Sequence, residues 1–103
     1  MPSDPTRTSV WSDTKPLPDR SLQPVLHEQE LLAIMYSSSG RHRAVITRDP
    51  HGVFRVLIEV WHTAEFVTEG GGYMSHWRLN DSSLTDSLPG AEVIARKLLS
   101  NEP

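Results

Sequence analysis

Two tetrapeptides, SSSG at residues 37–40 and DPHG at residues 49–52, constrain the fold of this chain more than any other feature. Each suits a type I turn closed by a glycine in the left-handed region, the turn of a bulged β-hairpin. In the second tetrapeptide, Asp49 suits the first turn position, Pro50 the second, and Gly52 the position that requires a positive φ. Because apolar segments flank both turns, the sequence predicts two successive hairpins.

This turn type also predicts which residues lie opposite one another in the three strands. The predicted core face consists of three rows of side chains: Leu32–Ile46–Val56, Ile34–Ala44–Ile58 and Tyr36–His42–Val60. A slip of one residue would bring Arg55 and Glu59 into that face, so the apolar pattern specifies the register. On the opposite face, Arg43 is expected to meet Glu59 directly.

A fourth strand and a helix are predicted after the second hairpin. In the segment YMSHWRL, the core face would hold Trp77 opposite Val60 and Leu79 opposite Ile58. This register places His76 beside Trp61. The final segment begins with a capping Ser87 or Asp86 and has Pro89 in its first turn, both typical of a helix start. Its apolar stripe is expected to cover the core face of the sheet.

The predicted architecture is an α+β fold in one small domain. It is a four-stranded antiparallel β-meander (about 31–36, 42–48, 53–62 and 73–79) with one C-terminal helix (about 88–99) packed on one face. Residues 1–29 contain five of the eight prolines and no glycine, and their polar composition predicts a disordered or loosely packed N-terminal tail. The domain proper would span 30–100, with 101–103 as the C-terminal end.

Composition excludes several classes of site and partner. The chain has no cysteine, so disulfides, thiolate metal sites and cysteine catalysis are excluded. Its net charge of −3 disfavours general binding to nucleic acid or to acidic membranes. No apolar run approaches the length of a membrane span, of about 20 residues, and no secretory signal is recognised at the N-terminus. A cytoplasmic location is therefore expected.

No motif of catalysis or cofactor binding is recognised, so we expect no enzymatic activity, no cofactor and no metal ion. The five histidines lack a compact ligand spacing. The predicted register places His62 and His76 on opposite faces of the sheet, and a zinc site requires at least three converging ligands. The glycines of TEGGGY precede a strand and have acidic neighbours, which indicates a flexible connection rather than a phosphate loop.

The feature with functional potential is the sheet face that a single helix would leave uncovered. An apolar centre with tryptophan and arginine is typical of interface hot spots. The candidate interaction face comprises Trp61, Arg41, Arg43, Leu57, Val45, Arg55, Glu59, His76, Arg78 and Met35. The sequence therefore predicts a small module that binds a protein partner or forms a homodimer through the face around Trp61, with Trp11 in a flexible arm.

Two alternatives remain open. Arginines and aromatic residues on a sheet can bind single-stranded nucleic acid. The order of three strands and a helix also resembles the second half of a double-stranded-RNA-binding domain, but the start of the helix, TDSLPG, is acidic where such domains carry basic residues. The other alternative is an enzyme or ligand-binding protein with a site at the 62–76 loop.

Overall fold

The computed structural model describes residues 9–65 and 71–101. These residues form five β-strands and one α-helix. Their bounds are β1 Ser9–Ser12, β2 Glu30–Tyr36, β3 His42–Arg48, β4 Phe54–Glu65, β5 Tyr73–Thr85 and α1 Leu88–Ser100. The strands belong to one antiparallel sheet in the order β1-β5-β4-β3-β2. The predicted α+β class with a C-terminal helix is therefore confirmed.

The expected number of strands is corrected from four to five. The additional strand, β1, lies in the segment predicted as a disordered or loosely packed tail, and it pairs antiparallel with β5. Its four residues, SVWS, do not alternate apolar and polar side chains, and a segment this short gives no clear strand pattern. β4 and β5 also extend beyond their predicted ends. Residues 1–8, the first part of the predicted 1–29 tail, lie outside the described residues.

The chain divides into two compact units. One holds the described residues up to Val25 together with those from Trp61 to Arg78, and we call it the tryptophan unit. The other, the helical unit, holds Leu26–Val60 and the chain from Leu79 onward.

In the helical unit, the second hairpin has the predicted register. Ile46 lies opposite Val56, and Ala44 lies opposite Ile58. The turn is closed by a hydrogen bond from the Gly52 N–H to the Asp49 carbonyl, and Gly52 has a φ of 83°. Proline presets the second turn position and glycine supplies the positive φ, so local residue chemistry alone determines this hairpin.

The first hairpin differs from its prediction by one residue. The Ser37 N–H donates to the His42 carbonyl, so the connection is longer than the one in the second hairpin. Tyr36 therefore pairs with Arg43, and Ile34 pairs with Val45. A bulge between Leu31 and Ala33 restores the predicted register at the start of β2. The predicted rows that placed Leu32, Ile34 and Tyr36 opposite Ile46, Ala44 and His42 are therefore wrong.

The core of the helical unit lies between this sheet and α1, which packs over β3. Ser87 caps the helix through its side-chain oxygen, which accepts the Gly90 N–H at 3.1 Å, as the sequence predicts. The buried cluster is formed by Ala44, Ile46, Val56, Ile58, Ala91, Ala95 and Leu99. Ala33 and Met35 pack against it from β2, because the longer first turn directs these two side chains, rather than Ile34 and Tyr36, to the core.

On the reverse face of the same strands lies a buried ion pair. Arg43 lies directly opposite Glu59, as predicted, and its Nε atom donates to Glu59 Oε1 at 2.6 Å. The Arg43 side chain is fully buried, and that of Glu59 is 11% exposed. Val45 and Thr47 are also fully buried. Within the described part of the chain, no helix is both long and apolar enough to cross a membrane.

Candidate functional site

The predicted open face is covered, so its proposed accessibility is corrected. Of its central residues, Trp61 is only 5% exposed, and Arg43, Val45 and Glu59 are buried. Four further members are partly buried: Leu57, Arg55, His76 and Met35. Only Arg41 and Arg78 are exposed. Met35 belongs to the core beneath α1 rather than to this face.

The cause of this burial in the tryptophan unit is the N-terminal segment. The Trp61 indole N–H donates to the Pro16 carbonyl at 3.1 Å, and the Trp77 indole N–H donates to the Asp19 carbonyl at 2.9 Å. The two acceptors are three residues apart, which is one turn of a polyproline II helix. Tryptophan donors that bind a proline-rich segment resemble the recognition of such peptides by aromatic grooves. Here the segment KPLPD belongs to the same chain.

Two side-chain contacts correct the register of β4 and β5. The rings of Trp61 and Trp77 are 5.2 Å apart between centroids in an edge-to-face arrangement. The hydroxyls of Thr63 and Ser75 are 2.6 Å apart. Moving from Trp61 to Thr63 along β4 thus corresponds to moving from Trp77 back to Ser75 along β5. Trp77 therefore lies opposite Trp61, not opposite Val60. Leu79, predicted for the core, is 58% exposed.

This shift also brings two histidines together. The imidazole rings of His62 and His76 are 5.3 Å apart between centroids, with an angle of 75° between their planes. The prediction that these two side chains lie on opposite faces is therefore wrong. A register slip of one residue moves every side chain of a strand to the other face, which explains the difference.

A mixed aromatic, sulfur and imidazole surface surrounds this pair, and we call it the histidine face. It comprises Ser9, Trp11, His62, Met74 and His76. The pairing places Ser9 opposite His76 and Trp11 opposite Met74, and directly opposite residues share a face. Trp11 is 56% exposed. The histidine face thus presents imidazole and thioether side chains, which can bind a ligand, at a partly exposed surface of the tryptophan unit.

The electrostatics of the histidine face favour a neutral imidazole. Partial burial lowers the pKa of His76 below its usual value, and the nearby positive charges of His62 and Arg78 lower it further. A lower pKa means that the ring is more often unprotonated near neutral pH than an ordinary histidine. In that state the His76 ring has a nitrogen lone pair that can accept a hydrogen bond or bind a metal ion.

The glycines that precede β5 have a structural role here. Gly71 has a φ of 68° and Gly72 a φ of 147°, conformations that residues with a side chain rarely adopt. A Cβ atom on Gly72 would lie 3.0 Å from Trp11 Cζ2. The Trp11 ring therefore covers the glycine that directly precedes the neighbouring strand, similar to the aromatic rescue of sheet glycines. The expected flexible connection includes residues 66–70, which lie outside the described residues.

We expect Gly72→Ala to displace Trp11 and to weaken the pairing of β1 with β5. The added methyl group would both strain the backbone and collide with the indole, and strain of this kind costs about 1–3 kcal/mol. Hydrogen exchange at the amides of β1 should become faster, while exchange in α1 should stay unchanged. Gly52→Ala is the matched control, because it carries the backbone strain without any atom within 4 Å of the new Cβ. Equal exchange in β1 for wild type and Gly72→Ala would contradict the assigned role.

Other candidate sites are weaker. The described residues contain no group of three or more histidine, aspartate and glutamate side chains that could hold a metal ion. A groove of about 370 Å³ is lined by Glu28, Glu30, Arg48, Asp49, Pro50 and Gly52. Its polar groups are already engaged, because Glu30 pairs with Arg48 and Asp49 accepts the N–H of Val53, which lowers the pKa of Asp49. These contacts stabilise the hairpin and leave little for a ligand.

The edge of β2 is a second candidate surface, in the helical unit. β2 ends the sheet, and no strand lies beyond it in the described residues. Its sequence, ELLAIMY, has no charged residue after Glu30, and the side chains from Leu31 to Tyr36 are all partly buried. Soluble proteins usually protect such an edge with charged residues or proline, and β2 has only its bulge.

The direction of the backbone groups at this edge follows from the first hairpin. In antiparallel pairs, hydrogen-bonded positions alternate with positions that are not hydrogen-bonded. The Ser37 N–H donates to the His42 carbonyl, so Ser37 is a hydrogen-bonded position. Met35, two residues before Ser37, should therefore be the next residue of β2 whose backbone groups bond to β3. Ile34 occupies the intervening position, so its N–H and C=O point away from β3 and toward the outer edge.

Sequence reasoning identified some of these residues and missed others. It placed Trp61, Arg43 and Glu59 on one face but did not identify the Pro16 and Asp19 carbonyls that bind the indoles. The signal was the proline-rich segment KPLPD in a chain with two tryptophans on neighbouring strands. Comparisons of the chain with models of protein families, with curated proteins and with solved structures find no match.

Proposed function

We propose that the protein is a non-catalytic interaction module that forms a homodimer by pairing the edge of β2 with β2 of a second copy. The observation that supports this most directly is the outward direction of the Ile34 backbone on an apolar edge strand. A second strand would satisfy these groups and extend the sheet, which is the mode of binding known as β-strand addition.

A second copy is the partner that best suits this strand. In an antiparallel arrangement about a twofold axis, a strand meets its own sequence reversed. Centred on Ala33, such pairing would set Glu30 near Tyr36 of the other copy, so that no like charges are opposed. A small domain also gains from burying additional apolar surface, because its own core is limited in size.

Nucleic-acid binding is less well supported by the arginines. Arg43 is buried against Glu59, and Arg48 is engaged with Glu30. The predicted interaction face therefore loses the cation of Arg43 to an ion pair within the chain, and Arg48, elsewhere on β3, is engaged in the same way. The acidic net charge also disfavours this function.

Proline substitution tests the proposal with one variant at the edge and one matched control. Ile34→Pro should abolish dimerisation while leaving the monomer folded, because it removes an N–H that does not bond to β3, and proline is tolerated at that kind of edge position. Met35→Pro, the adjacent control, should destabilise the fold by about 1–3 kcal/mol through loss of a ladder hydrogen bond. Sedimentation velocity gives the oligomeric state, and circular dichroism with urea denaturation gives the stability.

The dimer hypothesis fails if the wild-type chain sediments as a monomer at all concentrations tested. It fails equally if Ile34→Pro sediments as a dimer, since pairing through β2 would then not be the contact. Trp11→Ala should leave the oligomeric state unchanged, because Trp11 lies on a different strand from the proposed interface.

A further inference from the structure

We propose that His62 and His76 together bind a divalent late transition-metal ion, with Cu²⁺ as the ion bound most tightly. The two imidazole rings project from directly opposed positions on adjacent strands and are 5.3 Å apart between centroids. This inference is independent of the proposed dimer, which concerns β2 in the other unit.

The geometry provides two ligands on a rigid support. His62 and His76 lie within long strands, β4 and β5, and hydroxyl and aromatic contacts join these strands on the reverse face. Ligands on strands held in this way lose little freedom when an ion binds. Both side chains are only partly buried, so an ion and its remaining water ligands can reach the rings.

The charges near the pair do not exclude a metal ion. Metal ions compete with protons for an imidazole nitrogen, so binding should strengthen as the pH rises. Arg78 is exposed, and its repulsion of a cation is therefore weakened by solvent.

The ligand types indicate which metal ion should bind most tightly. Imidazole is a ligand for zinc, copper, nickel and iron, and among divalent ions a nitrogen site binds Cu²⁺ most strongly. Met74 is on the same face, two residues before His76 in β5, and its thioether would be no more than a weak axial ligand of Cu²⁺, so the preference for Cu²⁺ depends on the two imidazoles. Ions that prefer oxygen ligands, such as Mg²⁺ and Ca²⁺, should not bind here.

The test is a titration of the full-length chain with CuCl₂ at neutral pH, followed by calorimetry and electron paramagnetic resonance. We expect one Cu²⁺ per chain at this site, with nitrogen couplings from two imidazoles. His62→Gln and His76→Gln should each weaken binding at least about tenfold, since either change leaves a single imidazole. The double variant should lose the site. His27→Gln and His51→Gln, which alter exposed histidines elsewhere, should bind as the wild type does.

Wild-type affinity in the double variant would overturn the proposal, as would equal weakening in the two control variants. A second measurement does not depend on the folding of any variant. Bound Cu²⁺ should slow the modification of His62 and His76 by diethyl pyrocarbonate in the wild-type chain, while His27 and His51 react at unchanged rates. Unchanged modification of His62 and His76 at saturating Cu²⁺ would also reject the site.

Discussion

Glu59→Leu should destabilise the protein by about 3–5 kcal/mol, because it leaves the fully buried guanidinium of Arg43 without its carboxylate. The distance between Arg43 Nε and Glu59 Oε1 is 2.6 Å, and the Arg43 side chain is fully buried, so solvent is a poor replacement for the lost partner. Urea denaturation followed by circular dichroism measures the change in the free energy of unfolding.

Removing both charges should cost much less than removing one. The double variant Arg43→Leu with Glu59→Leu leaves no unpaired charge, and replacing a buried ion pair with apolar residues is often close to neutral. The wild type, the single variants Arg43→Leu and Glu59→Leu, and the double variant form a double-mutant cycle. This cycle isolates the coupling free energy between the two side chains. Breaking the exposed pair of Glu92 and Arg96, 3.8 Å apart on α1, is the control and should change stability by less than about 1 kcal/mol. A loss for Glu59→Leu as small as this control would contradict the importance of the buried pair.

Trp77→Ala should destabilise the tryptophan unit by about 3–5 kcal/mol, the usual range for removal of a large buried aromatic side chain. Trp77 is 3% exposed, packs edge to face on Trp61 and donates its indole N–H to the Asp19 carbonyl. The substitution should therefore also loosen the N-terminal segment and expose Trp61. Acrylamide quenching of tryptophan fluorescence should increase, and proteolysis should become faster between Lys15 and Arg20.

Two further substitutions separate packing from hydrogen bonding at this position. Trp77→Phe keeps much of the ring but removes the N–H, so we expect a smaller loss, of about 1–3 kcal/mol, from the lost hydrogen bond to the Asp19 carbonyl and the reduced ring. Trp11→Ala removes a tryptophan that is 56% exposed, and its cost should be well below that of Trp77→Ala. Similar losses for Trp11→Ala and Trp77→Ala would show that burial does not distinguish the two sites.

How much could be predicted depended on the distance along the chain between the interacting residues. The Asp49–Gly52 turn carries its own conformational requirements, and they determine the register of β3 and β4. The helix start at Ser87 and Pro89 is likewise local. The first hairpin was predicted less well, because three successive serines and a glycine accept more than one connection. The extra residue in the first turn directs the Ile34 side chain away from the core and the Met35 side chain toward it.

The register of β5 shows where local reasoning ends. A long connection separates β4 from β5, so no turn determines which residues meet. Pairing Trp77 with Trp61 places both indoles on one face, where the Pro16 and Asp19 carbonyls accept their N–H groups. The same register brings His62 to His76. Neither the covered tryptophans nor the histidine pair could be predicted without the N-terminal segment, which is more than 40 residues away from Trp61 in sequence.

By itself, the sequence determined the α+β class, the second hairpin, the capped helix and the pairing of Arg43 with Glu59. These features depend on φ preferences, side-chain caps and the alternation of side chains along strands joined by a short turn, all of which are encoded locally. Only the tertiary structure decided which surfaces are covered. Burying an indole requires an acceptor for its N–H, and the best acceptors lay in a proline-rich segment that local patterns describe as a tail. That contact buried Trp61 and left the histidine face and the edge of β2 as the surfaces to test.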